Sequence, residues 1–362
     1  MRTVEKMAGE KGKLTFRRLK PEEHCLTRRL YETVFSEDTK EFVDYYYGEK
    51  ASRNEIYAAL DQRGIHGMVH LNPCQVSWRG EALTIHYIVA VATEESYRRR
   101  GIMGTLLRMA LRELNRRGEP FAFLMPAAEA IYTPYGFRRT WEWRWEEELV
   151  RGIKPDALEQ RPACRCSDEL LEQLSRRVNE RLAGQFELFS LRSAAYYRDL
   201  QRQQRASGGE LRICFDREGP CFGLCTEKEK FPPMMARIVN LESFLARVRT
   251  EEEQTLLWEV KDEIIPENAG LFWVELGPEG GRIGRSESED PGAAPKGKRR
   301  EEARKTGMMD TEDVSQISGI WRAAEILQEA EIPREENLDI ARIPRWLEQD
   351  DPFLKAMICE VV

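Results

Sequence analysis

Arg98-Arg99-Arg100-Gly101 is the stretch of this chain best suited to hold a phosphate. Arginine brings charge and bidentate donors to phosphate oxygens, and glycine lets the backbone come close to them. Read alone, the run is equally a solvated charge cluster at a helix start. Its surroundings argue for the phosphate. Before it, Leu83, Ile85, Tyr87, Val89 and Val91 alternate with Thr84, His86, Ile88 and Ala90. Both sets are largely apolar, which predicts a central strand. After it, Met103, Leu106, Leu107, Ala110 and Leu114 recur at helical spacing. A helix opening there turns unpaired N–H groups and the positive end of its macrodipole toward an anion. Phe121–Leu124 predicts a second strand, and a tyrosine-rich turn follows from Pro126 to Phe137. The ordinary reading of Tyr132 and Tyr135 in that turn is aromatic packing at a core edge.

This order resembles motif A of the GNAT N-acetyltransferases, in which an R-x-x-G-x-G/A turn binds acetyl-coenzyme A. Here the turn reads Arg98-Arg99-Arg100-Gly101-Ile102-Met103-Gly104, with Met103 where many members carry Gly or Ala. The run Ala130-Ile131-Tyr132-Thr133-Pro134-Tyr135-Gly136-Phe137 is similar to a signature of the enhanced intracellular survival (Eis) type. The resemblance implies an α/β (α+β) GNAT fold with a mixed central sheet and acetyl-CoA as cofactor. The backbone of Val89, Ala90 and Val91 would pair with the pantetheine arm. Arg98, Arg99, Arg100, Gly101, Met103 and Gly104 would surround the pyrophosphate, and the thioester would enter where the strand splays from Phe121–Leu124.

The resemblance also assigns catalytic roles. Tyr132 would be the general acid. A phenol with a pKa near about 10 stays protonated at neutral pH and can protonate the departing thiolate. The terminal carboxylate of Val362 would serve as base, with Glu360 as the competing candidate. At a pKa of roughly 3.5 that carboxylate is a weak base for an ammonium, so it would orient the amine more than deprotonate it. The implied acceptor is a small primary amine: a polyamine, an aminoglycoside-like compound or a lysine side chain. The implied assembly is a homo-oligomer, a hexamer in this family.

A length of 362 residues calls for two or three domains, and 41% hydrophobic residues can fill their cores. The expected divisions are 1–140, the acetyl-CoA-binding GNAT domain; 141–233, a second GNAT-like domain lacking cofactor; and 234–362, a sterol-carrier-like domain with a flexible loop at 277–305. With 56 basic and 63 acidic residues, the net charge of −7 argues against a nucleic-acid partner. No run reaches the roughly 20 apolar residues of a membrane span, and the charged N-terminus lacks a signal region. A cytoplasmic protein is therefore expected. Eight cysteines accompany only four histidines, and no C-x-x-C occurs. The expectation is free thiols and no metal site, although Cys221 and Cys225 could pair under oxidation.

Several elements are expected around the site. Leu14–Leu19, Glu55–Asp61 and Gly67–Leu71 read as strands. Pro21–Phe35 and Thr39–Tyr47 read as helices, with Ser36 and Asp38 as cap candidates. Asp44, Tyr45, Tyr46 and Tyr47 either hold an ammonium by charge and cation–π contact or simply pack. Ser167–Gly184 and Ser190–Arg205 read as helices, and Glu210–Cys214 with Cys221–Thr226 as a hairpin. Two other functions compete with catalysis: a non-catalytic acyl-CoA sensor, and a lipid carrier working through the last domain.

Overall fold

The computed structural model describes residues 13–141, 158–226, 234–250, 253–286, 306–308 and 356–357. They fall into two compact units: Met1–Asn72 with Val89–Ala110, and Pro73–Ile88 with Leu111–Val362. Two strands and one helix, β3 (Gly64–Trp78), β4 (Glu81–Thr93) and α3 (Ile102–Arg116), run from one unit into the other.

In the first unit, β1 (Thr15–Arg18) pairs antiparallel with β2 (Glu55–Asp61), and β2 pairs antiparallel with β3. The expected Asp61–Gly64 hairpin is present, with Asp61 opposite Gly64. Helix α1 (Arg28–Val34) follows a 3₁₀ segment from Pro21, and α2 (Lys40–Tyr45) continues into one π-helical turn at Tyr46–Lys50. Neither Ser36 nor Asp38 caps α2. Thr39 does, accepting from the Phe42 amide at 3.2 Å. Asp38 instead accepts from the Tyr31 hydroxyl at 2.8 Å. Along α3, Ile102, Leu106, Leu107 and Ala110 are buried, while Met103 is half-buried. Gly67 on β3 is what admits the helix. A Cβ there would stand 2.5 Å from Ile102 Cγ2, and real side chains do not approach so closely.

In the second unit, β3 turns into β4 through Arg79 and Gly80, both at positive φ (51° and 86°), which suits a two-residue hairpin. Strand β5 (Phe121–Leu124) is buried at every position and runs parallel to β4. After α4 (Glu129–Tyr132) comes β6 (Arg138–Trp141). Between β5 and β6 lies a strand from far along the chain, β11 (Met234–Ile238), antiparallel to both. The segment expected to open the third domain thus contributes a strand to the sheet that holds β5.

The middle region forms β7 (Glu159–Pro162), α5 (Asp168–Ala183), β8 (Leu188–Ser190), α6 (Ala194–Ala206), β9 (Leu211–Asp216) and β10 (Gly219–Cys225). Ser167 caps α5 as expected. Helix α6 starts later than expected because Ser190 belongs to β8, and Ser193 caps it. Strands β10, β9 and β7 make a small sheet in that order. Leu171, Leu174, Val178, Leu182, Leu211 and Ile213 form its core with the two helices. Strand β8 pairs with Val76–Trp78 of β3 and, on its other side, with β16 (Ala356–Met357).

The last region adds α7 (Leu241–Leu245) and a sheet in the order β14 (Arg282–Arg285), β13 (Gly270–Leu276), β12 (Gln254–Val260), β15 (Thr306–Met308). The expected loop 277–305 therefore holds a strand. Backbone pairing of Val274 with Ile283 is part of what builds β14. The sequence also reads as helical at 317–330 and 344–349, and both stretches lie outside the described residues.

Candidate functional site

Strand β4 carries the first half of the site. Its pairing with β5 covers only His86↔Ala122, Tyr87↔Phe123 and Ile88↔Leu124. β5 ends at Leu124, while β4 runs on to Thr93. Two residues past the last pair, Ala90 takes φ 49°. A left-handed non-glycine residue inside a strand costs on the order of 1 kcal/mol and breaks the pleat. Beyond the break Ala90 and Ala92 are buried, whereas Val89, Val91 and Thr93 are half-buried. A left-handed residue there re-aims the neighbouring backbone amides.

The arginine turn follows in the same unit. Arg99 has φ 61° and Gly101 φ 72°. The Gly101 carbonyl accepts from the Thr105 amide at 3.0 Å, so Gly101 caps α3. Ile102, Met103 and Gly104 then lie in the first turn, where amides lack intrahelical partners. A Cβ on Gly101 would meet nothing within 4 Å, so the turn faces open space.

The three arginines are not equivalent. Arg98 Nε donates to the Thr93 carbonyl at 3.3 Å. Arg100 Nη2 donates to the Ser96 carbonyl at 2.9 Å, and its guanidinium lies 4.8 Å over the Tyr97 ring. Arg99 is exposed, and among the described residues its side chain has no hydrogen bond or ion pair. It is the arginine best placed to take a ligand charge.

Sequence reasoning missed what braces this turn. His66 Nδ1 lies 2.6 Å from Glu94 Oε2, and its Nε2 lies 2.8 Å from Asp61 Oδ1. The Tyr97 ring stacks on the imidazole at 3.8 Å, and its hydroxyl donates to Asp61 Oδ2 at 3.3 Å. The His66 bonds hold both carboxyls below their usual range. Histidine and carboxylates here are 5 and 28 residues apart, so no local motif announced them.

Tyr132 closes α4 in the second unit. It is buried, and its ring meets Phe137 edge-on at 6.2 Å. Burial pushes its phenol up to about 12. Among the described residues nothing hydrogen-bonds its hydroxyl. A 3₁₀ turn, Thr133–Tyr135, and left-handed Gly136 (φ 78°) return the chain to β6. Tyr135 is half-buried. Val362 and Glu360 lie outside the described residues.

The aromatic–acid cluster on α2 resolves as packing. Arg28 and Lys40 both pair with Asp44 and hold its carboxyl below the usual range. Tyr46 is fully buried, with its hydroxyl 2.8 Å from His70 Nδ1. Tyr47 meets Thr27 at 2.9 Å. The acid of the expected cluster, Asp44, is thus already paired with two cations.

Residues 15–140 match the family of acetyltransferase (GNAT) domains. The described GNAT-like sheet and helices agree with an α+β GNAT fold, as the sequence predicted. A GCN5-related N-acetyltransferase from Anabaena variabilis superposes with a TM-score of 0.60 at 13% identity, covering 86% of this chain and 90% of that one. A probable N-acyltransferase from Enterococcus faecalis gives 0.59 at 16% identity, with 76% and 86% covered. Eis1 from Mycobacterium abscessus gives 0.56 at 14% identity, with 84% and 89% covered. At these identities the likeness is one of fold. No curated protein matches the chain. Among the described residues, no helix is long and apolar enough to cross a membrane, no group of three or more His, Cys, Asp or Glu side chains is arranged to hold a metal ion, and seven cysteines form no disulfide.

Proposed function

We propose that this protein is an acetyl-CoA-dependent N-acetyltransferase of the Eis type. The observation that carries the reading is the left-handed break at Ala90 on a strand that leads into Arg98–Gly101 and then α3. The residues present suit acetyl-CoA. Arg99 offers an unengaged cation, Gly101 leaves open space for a phosphate, and the first-turn amides of α3 face an anion. When bound, acetyl-CoA supplies an activated acyl group and a thiolate leaving group.

The chain's own residues would do the rest. A backbone amide of Val89–Val91 polarises the acyl oxygen as the amine attacks directly. Tyr132 keeps its proton throughout the physiological range, because burial has raised its phenol to about 12. It would supply that proton to the thiolate of bound acetyl-CoA as the thioester is cleaved. The acceptor is a small primary amine, with polyamine, aminoglycoside-like and lysine amines as the classes to screen. Residues 141–233 are read as a second GNAT-like domain without cofactor, and residues 234–362 as sterol-carrier-like. A cytoplasmic homo-oligomer, with a hexamer as the family's form, completes the reading.

The test is acetyl-CoA-dependent thiol release against a panel of amines, comparing wild type with Tyr132→Phe. Turnover on at least one amine, lost in the variant, supports the reading. Tight acetyl-CoA binding without turnover on any amine would favour a sensor, and absence of acetyl-CoA binding would remove the cofactor assignment.

A further inference from the structure

The turn that carries Tyr132 is fastened from a distant part of the sequence. Arg237, on β11, donates from Nη1 to the Tyr135 carbonyl at 2.6 Å across 102 residues. Its Nη2 donates to both oxygens of Asp262, at 2.6 and 2.5 Å. The two side chains are 5% and 2% exposed. Asp262 Oδ1 also accepts from the amides of Ile264 and Ile265 at 3.0 and 2.9 Å, and Oδ2 accepts from Asn268 Nδ2 at 3.2 Å. Asn268 in turn donates to the Val239 carbonyl at 2.9 Å, just past the end of β11. The same loop reaches the far half of α3, where Arg112 Nε donates to the Ile264 carbonyl at 2.9 Å.

A buried ion pair is costly to desolvate, and apolar residues of equal volume often stabilise as well. What this one provides is direction. The carboxylate fixes one end of a planar fork, so the other end meets one carbonyl at one angle. Gly136 is part of the fit: a Cβ there would come within 3.0 Å of Arg237 Nη1. The need for such a fixture follows from Tyr132 itself. No described group holds its hydroxyl, and its ring meets Phe137 edge-on. The backbone of its turn must therefore set the phenol's aim.

We infer that Arg237, aligned by Asp262, is a positioning residue that keeps Tyr132 in the orientation proton delivery requires. The inference rests on Tyr132 being the acid. The experiment is a double-mutant cycle on the full chain with Asp262→Asn and Tyr132→Phe, reading kcat, KM and the acetyl-CoA dissociation constant. Asp262→Asn alone is expected to lower kcat about tenfold to a hundredfold, the scale of a misplaced catalytic group. Acetyl-CoA affinity should change by less than about twofold, and the Tyr132→Phe background should show no further loss of kcat. An equal loss in both backgrounds, or a parallel loss of acetyl-CoA affinity, would reduce the pair to a structural support.

Arg237→Lys keeps the charge without the fork and serves if Asp262→Asn does not fold; it should lose kcat in the same selective way. A readout independent of turnover is the ¹³Cζ tyrosine spectrum, in which Tyr132 is the resonance missing from Tyr132→Phe. That resonance should move in Asp262→Asn, and a resonance that stays put would overturn the inference. Wild-type turnover in Tyr132→Phe would sink the acid assignment instead, a separate result from an additive cycle.

Discussion

Two turns of this molecule both use arginine and a left-handed residue, yet they are built on opposite plans. The turn from Glu94 to Gly101 keeps its arginines at the surface and is braced by His66, Asp61 and Tyr97. The turn from Glu129 to Phe137 is held by a guanidinium that is almost fully buried and arrives from another stretch of chain. The first cation with no described partner, Arg99, is available to a ligand. Arg237 has its donors committed to Tyr135 and Asp262, and so serves geometry. Hydration separates the two roles. A wet, unpaired guanidinium can trade water for phosphate, while a dry one must stay with the partners that offset its desolvation.

The largest expected effect breaks the buried plan. Arg237→Ala leaves Asp262 without its cation and should cost about 3–5 kcal/mol in urea unfolding. A loss below about 1 kcal/mol would mean that the carboxylate is hydrated after all. Next comes Tyr132→Phe, expected to lower kcat at least about a hundredfold while leaving KM for acetyl-CoA nearly unchanged. The pH dependence sharpens that prediction. An acid acts while it is protonated, that is, below its pKa, and burial has moved this one to about 12. The ratio of wild-type to variant kcat should therefore stay level from neutral pH to about pH 10, where an ordinary phenol would fail. A ratio that collapses near pH 10 would put the phenol in water.

Smaller effects belong to the exposed turn. Arg99→Ala should weaken coenzyme A binding about tenfold by calorimetry, with the loss shrinking as salt rises. Arg100→Ala should cost less, because its guanidinium already serves the Ser96 carbonyl and the Tyr97 ring. Smallest is an acid effect. Asp61 and Glu94 are held low in the folded state by His66. Their stabilisation is present above the ordinary carboxylate range and lost as pH falls below about 4. His66→Gln should flatten the fall in melting temperature over that window, and an unchanged slope would exclude the brace from acid stability.

The exposed turn was legible because its parts are contiguous. Alternating apolar residues, Arg98 to Gly101 and the spacing from Met103 to Leu114 all lie within one short window. Helical phase was nearly right, with Ile102 taking the buried place expected of Met103. The buried turn was only half legible. Tyr132 could be singled out by resemblance, but no local motif marks Arg237 or Asp262. Pairing across 25 residues of chain, and then across 102, leaves no periodic trace. The left-handed Ala90 was equally silent, because alternation of residue types continues past it even where the pleat does not. At Arg282–Arg285, where pairing with β13 and the Phe272 ring under Arg285 build a strand, composition pointed to a loop.

The placement of β11 between β5 and β6 has a consequence in time. A ribosome releases Phe121–Leu124 long before Met234–Ile238 exists. At about 5–20 residues per second, the 102 residues between Tyr135 and Arg237 take roughly 5–20 s to make. Through that interval the four apolar residues of β5 have one sheet edge open. The nascent chain therefore meets the cell with a sticky, half-made sheet, and its yield in vivo should depend on what shields that edge until translation catches up.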